Sequence, residues 1–179
     1  NTLYTLSVSG YAQTWTNTGL SALNWFGCDM SETGQYMAIC GSFQYIQISN
    51  DYGQTWSSKG INTVDWRDIA VSSSGKYMTA TPANSGSIGY IYISSDYGQT
   101  WNPTGTTTIG ARNYGSIALS SSGQYQIVSS IVNLFRSDDY GITWTQTSLG
   151  GGSFQQIAMS ASGQYCTTTE SINTLYKSR

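Results

Sequence analysis

The chain has 179 residues and a mass of 19.4 kDa, enough for one domain with a substantial core, and carries 7 Lys plus Arg against 9 Asp plus Glu. A net charge of −2 and a pI near 4.7 leave no basic surface for phosphates, so neither nucleic acid nor anionic lipid is an expected partner. Aromatic residues reach 13%, too many for a disordered chain, and no apolar run approaches the roughly 18 residues of a spanning helix, so no membrane insertion is expected.

Residues 1–20 carry neither the basic nor the apolar region of a signal peptide, a reading that allows for one removed ahead of residue 1. Ser, Thr, Gly, Asn, Gln and Tyr stand where Lys and Glu usually cover a surface, which points to an extracellular or virion-surface location. No Asn-x-Ser/Thr acceptor occurs. There is no histidine, and Cys28, Cys40 and Cys166 fit no zinc spacing, so no metal or other cofactor is expected. Cys28 and Cys40 fall on neighbouring strands of one hairpin, where both a disulfide and two buried thiols are open readings.

In chain order, Leu3-Tyr4-Thr5-Leu6-Ser7 reads as a strand and Gly10-Tyr11-Ala12-Gln13-Thr14-Trp15 as a turn entering another. The same turn returns intact as Ser49-Asn50-Asp51-Tyr52-Gly53-Gln54-Thr55-Trp56, as Ser94-Ser95-Asp96-Tyr97-Gly98-Gln99-Thr100-Trp101, and as Ser137-Asp138-Asp139-Tyr140-Gly141-Ile142-Thr143-Trp144. Trp15, Trp56, Trp101 and Trp144 advance by 41, 45 and 43 positions, the size of one propeller blade. A second motif alternates with it: Thr33-Gly34-Gln35-Tyr36, Ser74-Gly75-Lys76-Tyr77, Ser122-Gly123-Gln124-Tyr125 and Ser162-Gly163-Gln164-Tyr165. Each is a Gly turn between two strand-forming runs. The run before it, as in Ile69-Ala70-Val71-Ser72 or Ile117-Ala118-Leu119-Ser120, is small and apolar enough for a strand packed on both faces. Four short antiparallel strands per repeat, without a helical stretch, predict an all-β propeller of about four four-stranded blades, or part of a larger one.

The Ser-x-Asp-x-Gly-x-Thr-Trp pattern resembles the Asp-box (BNR-type) repeat of sialidases and of many non-sialidase propellers. The resemblance implies that the box is the turn between third and fourth strands. Asp51, Asp96 and Asp139 then bond amides of their own turn; Gly53, Gly98 and Gly141 take a conformation closed to other residues; Trp56, Trp101 and Trp144 anchor the turn. All nine are expected to be structural. One domain, 1–179, is expected, with blade repeats at about 20–60, 61–105, 106–149, and 150–179 completed by 1–19. The segment around Trp15 is expected to pair with the strand at Leu175 to Lys177, within one chain or between chains, since an unpaired edge recruits a strand. The competing strand at residues 3–7 leaves open strand exchange, a ring shared by two chains, or a longer array.

Gly turns and boxes share one face of the blades, and the variable loops occupy the other. Tyr77 to Ser94 spans 17 positions against 13 for Tyr36 to Ser49, and Trp101 to Tyr114 spans 13 where its counterparts span 10. Variable loops on a rigid scaffold are where binding resides. Each blade places an aromatic there, Trp25, Trp66, Tyr114 and Phe154, preceded by Asn24, Asp65, Asn113 and Ser153, with Arg67 beside the second. Aromatic faces beside amides and carboxylates suit a sugar; wedging between blades is the competing reading.

The expected function is therefore a non-catalytic binding module with carbohydrate as partner. The alternatives are a structural subunit assembled through terminal strands and a sialidase-type hydrolase. Sialidases use three arginines, a Tyr–Glu pair and an acidic general acid. Here the arginines are Arg67, Arg112, Arg136 and Arg179 and the glutamates Glu32 and Glu170, without a carboxylate pair at catalytic spacing, so no enzyme is expected.

Overall fold

A computed structural model of the chain describes residues 4–9, 12–21, 24–59, 64–82, 89–171 and 175–178. β1 (Tyr4–Ser9) and β2 (Ala12–Asn17) form a hairpin. Three four-stranded antiparallel meanders follow. The first holds β3 (Trp25–Met30), β4 (Met37–Gly41), β5 (Ile46–Ser49) and β6 (Ser57–Lys59). The second holds β7 (Trp66–Val71), β8 (Met78–Pro82), β9 (Ile91–Ser94) and β10 (Asn102–Thr104). The third holds β11 (Tyr114–Leu119), β12 (Gln126–Ser130), β13 (Asn133–Ser137) and β14 (Thr145–Gly150). β15 (Phe154–Met159), β16 (Cys166–Glu170) and β17 (Leu175–Ser178) form a three-stranded sheet. These are the four blades of an all-β propeller, and β3 packs beside β7, β7 beside β11, and β11 beside β15.

Two expectations change. The first strands divide, Ile69, Ala70, Val71 and Ser72 at the end of β7 being buried as expected while β3 is mostly open, and burial throughout belongs to the second strands β4, β8 and β12 but not to β16. A second strand is flanked in its own sheet and covered above and below by neighbouring blades. And among the described residues β2 pairs with β1, Trp15 opposite Leu6, and β17 with β16, in place of the expected pairing of the segment around Trp15 with Leu175 to Lys177. β1 is the local partner, and closing a short loop costs less entropy than pairing across three blades.

Adjacent blades are joined by two repeated devices. On the turn face, backbone bonds run from Glu32 N to Ser73 O (3.0 Å), from Ser73 N to Ser121 O (3.0 Å) and from Ser121 N to Ala161 O (2.9 Å). On the first strands, Asp29 Oδ2 accepts from Val71 N (2.7 Å), Asp68 Oδ2 from Ile117 N (3.0 Å) and Ser116 Oγ from Ile157 N (3.3 Å). Apolar clusters fill the space between: Ile48, Trp66 and Met78 between the first two blades, Ile91, Val128 and Trp144 between the next two, and Ile127, Leu134 and Phe154 toward the fourth.

The thiols are free. Cys28 lies opposite Ile39 and Cys40 opposite Gly27, so alternation along the strands sends the two sulfurs to opposite faces, one exposed and one buried.

Candidate functional site

The boxes are closed structural turns. In the second, Ser94 Oγ donates to Asp96 Oδ1 (2.8 Å) and accepts from Gly98 N (2.9 Å); Asp96 accepts from Thr100 N (2.9 Å) and Thr100 Oγ1 (2.6 Å); Trp101 Nε1 donates to Gly98 O (3.0 Å). The first and third repeat these bonds within 0.1 Å of the same lengths. Gly98 sits at φ 78°, and Tyr97 before it also takes positive φ, 62°, a strained conformation for a side-chain-bearing residue that the pattern does not announce. Burial is the largest single influence on the Asp96 and Asp139 carboxyls and raises them, but the bonds from Thr, Ser and the turn amides together outweigh it and hold both below the usual range; the Thr55 hydroxyl and amide do the same for Asp51. With its oxygens bonded inside the turn, none of the three faces a ligand.

On the opposite face the aromatic positions divide. Trp66 is 0% exposed, Tyr114 4% and Phe154 6%, so three of the four expected stacking rings are inter-blade core. Trp66 meets Tyr92 edge-on and Phe154 meets Tyr176 edge-on. The Tyr114 hydroxyl donates to Gly110 O (2.6 Å), and burial pushes its pKa up to about 12. The reason is periodic: an aromatic in every repeat at the same strand start is what the wedge between two blades needs. Trp25, in the first blade, is half-buried. Asn24 and Ser153 are exposed, while Asp65 and Asn113 are half-buried.

The positions just after these aromatics form the open site. A cleft of about 250 Å³ is lined by Phe26, Arg67, Asp68, Ser116, Gln155 and Gln156. A second, of about 290 Å³, is lined by Arg67, Asn113, Ser130, Ser153 and Gln155. They share Arg67, Gly115 and Gln155. The Arg67 guanidinium is exposed and lies over the Phe26 ring, 5.9 Å from its centroid. Arg112 is spent otherwise, held to Ile109 O and stacked on Phe135 at 5.0 Å. Asn113 Oδ1 is buried without a partner, as is Asp65 Oδ1. A buried acceptor without a donor is costly, and Asn113 is one of the residues that line the second cleft.

Among the described residues, Asp68 is the one carboxylate lining these clefts. Its Oδ1 accepts from Ile69 N (2.9 Å) and its Oδ2 from Ile117 N (3.0 Å), and burial raises its pKa. Asp29 has the same arrangement with Met30 N (2.8 Å) and Val71 N (2.7 Å), and is raised by burial too. Phe26, Asp68, Gln155 and Gln156 were not singled out by the sequence; the signal was their fixed offset from the aromatic positions. Among the described residues, no group of three His, Cys, Asp or Glu side chains is placed to hold a metal.

The BNR-Asp box repeat family pattern matches residues 134–147, which span β13 and the third box. A search by sequence against curated proteins found no match. In fold, the chain is similar to the GH74 enzyme of Niastella koreensis (TM-score 0.71, 16% identity, 92% of this chain and 31% of that one). It is also similar to YCF48 from Cyanidioschyzon merolae (0.58, 13% identity, 87% of this chain and 56% of that one) and to the β-propeller domain of Myceliophteria thermophila Cps50 (0.69, 7% identity, 99% and 62%). The chain thus spans less than two thirds of each of these proteins. Repeat and fold together define its class: an all-β propeller that carries a BNR-Asp box repeat.

Proposed function

We propose that the chain is a non-catalytic binding module whose ligand is a carbohydrate, bound in the paired clefts around Arg67. The observation that carries this reading is the polar lining of the second cleft, where Asn113, whose Oδ1 is buried without a partner, stands with Arg67, Ser130, Ser153 and Gln155 beside the apolar Ile131 and Phe154. These groups donate to and accept from hydroxyls, and the half-exposed Phe26 adds an apolar surface beside them, the combination a pyranose asks for. A surface poor in Lys and Glu supports exposure outside a cell or on a virion.

Glycoside hydrolysis is disfavoured on chemical grounds. It needs a proton donor and a second carboxylate facing each other across the bond, whereas the single cleft carboxylate, Asp68, has both oxygens engaged by backbone amides. The test is a glycan array followed by calorimetric titration of any hit, with reducing-end release measured in parallel. The reading expects saturable binding without release; release of reducing ends, or no binding to any glycan, would overturn it.

A further inference from the structure

Each first strand breaks register with its second strand at the same place. The pairing steps from Trp25 to Gly27, from Trp66 to Asp68, from Tyr114 to Ile117 and from Phe154 to Ile157. Phe26, Arg67, Gly115, Ser116, Gln155 and Gln156 are thereby left without an opposite residue, and all six line the first cleft. A bulge of this kind bends the strand and re-aims the residue it releases. Four blades therefore deliver their bulged residues to one place.

Packing positions recur from blade to blade, because every blade meets its neighbour in the same way. The residue before the bulge is aromatic in all four blades, and six positions after that aromatic stand Ser31, Ser72, Ser120 and Ser160. The bulged position directly after the aromatic does not recur. It is Phe26, Arg67, Gly115 and Gln155 in turn: an apolar ring, a cation, bare backbone and an amide. Four different chemistries at one geometric position suit the reading of a ligand and serve no common packing role.

The two clefts meet along this set. Arg67, Gly115 and Gln155 line both, whereas Gln156 lines the first and Ser153 the second. A Cβ on Gly115 would lie 2.6 Å from Ser129 Oγ, so the shared lining at that point is backbone alone. Gln155 Nε2 donates to Ser153 Oγ (3.2 Å), which ties the junction to the second cleft. At about 250 and 290 Å³, each cleft alone is smaller than the roughly 300 Å³ at which small-molecule sites begin, and the two joined exceed it.

We propose that the clefts are two lobes of one groove, and that the ligand is an extended oligosaccharide with one sugar ring in each lobe and Arg67 and Gln155 at the junction. The proposal rests on the carbohydrate reading and adds to it a minimum length of two rings. Phe26 and Gln156 serve the first ring, and Ser130 and Ser153 the second. At the junction the guanidinium and the amide offer donors to the oxygens of both rings and of the link between them. Two linked rings lose rigid-body freedom once on binding, so the second adds its contacts at little further entropic cost.

The test uses the 179-residue chain and the strongest glycan found on the array, together with the disaccharides and monosaccharides cut from it, each titrated by calorimetry. The tightest disaccharide is expected to bind about tenfold or more tighter than either of its monosaccharides. Gln156→Ala and Ser153→Ala, both at exposed positions, are each expected to weaken that disaccharide about threefold or more with an unchanged far-UV spectrum and melting temperature. A smaller gain from the second ring, or a loss confined to one variant or absent from both, would overturn the proposal while the carbohydrate reading stands. Absence of binding to every glycan on the array would overturn that reading and the proposal with it.

Discussion

Asp68 accepts the amide of Ile117 at 3.0 Å, a bond that ties the first strand of one blade to the first strand of the next across 49 positions of sequence. The same carboxylate holds the amide of Ile69 and lines the cleft beside Arg67, so blade docking and site architecture meet at one residue. Asp68→Ala leaves the Ile117 amide without its acceptor and is expected to cost about 1–3 kcal/mol. Ser116→Ala, which removes the neutral equivalent to Ile157, is expected to cost less. Urea denaturation of the two variants checks the order, and an Asp68→Ala midpoint equal to wild type would refute the role.

A tyrosine pair offers a second check on blade docking. Tyr77 and Tyr140 stack at 4.4 Å between the Gly turn of one blade and the box of the next. A double-mutant cycle with Tyr77→Ala and Tyr140→Ala is expected to return a coupling of about 0.5–1.5 kcal/mol in thermal or urea unfolding. Additive single effects would mean that the rings merely share a surface.

The carboxylates fall into two groups with opposite pH signs. Asp51, Asp96 and Asp139 have folded pKa values below the ordinary 3.8, so their stabilisation is complete above that pH and is lost as pH falls through the lowered values. Asp29 and Asp68 are raised by burial above 3.8, so the folded state takes up protons first; their contribution is present below 3.8 and is lost as pH rises through the raised values. Acidification from neutrality is therefore expected to hold or raise the melting temperature until about pH 4, then lower it steeply. Calorimetry across this range is the check. Asp68→Asn should flatten the upper part of the curve; a melting temperature that falls steadily from pH 6 would contradict the assignment.

No sialidase turnover is expected. Arg112 is committed to Ile109 and Phe135, and Arg67 stands without two further arginines in its clefts. Fluorogenic sialoside release that disappears in Arg67→Ala or Arg112→Ala would reverse this expectation.

The boxes were legible because their chemistry is local. Ser94, Asp96, Gly98 and Thr100 bond within six residues, so spacing alone reports the turn. Positive φ at Tyr97 was not legible, since tyrosine carries no marker for it and the turn imposes it. Recurrence of Trp66, Tyr114 and Phe154 admitted both a stacking surface and an inter-blade wedge, and only burial separates these readings. The role of Asp68 depends on the register between two blades, information that no stretch of sequence around it contains. The same holds for the cleft at Arg67, assembled from four blades.

The central claim is that the boxes hold the fold while the clefts at Arg67 bind the ligand, and one paired measurement separates the two roles. Titration calorimetry with a glycan hit, alongside thermal unfolding, is run on the wild type, Arg67→Ala and Asp96→Ala. The account predicts at least a tenfold loss of affinity in Arg67→Ala with an unchanged melting temperature. For Asp96→Ala it predicts an unchanged affinity with a lowered melting temperature, the lost turn bonds being worth about 1 kcal/mol each. An affinity that falls in Asp96→Ala at constant stability, or is untouched in Arg67→Ala, would contradict it.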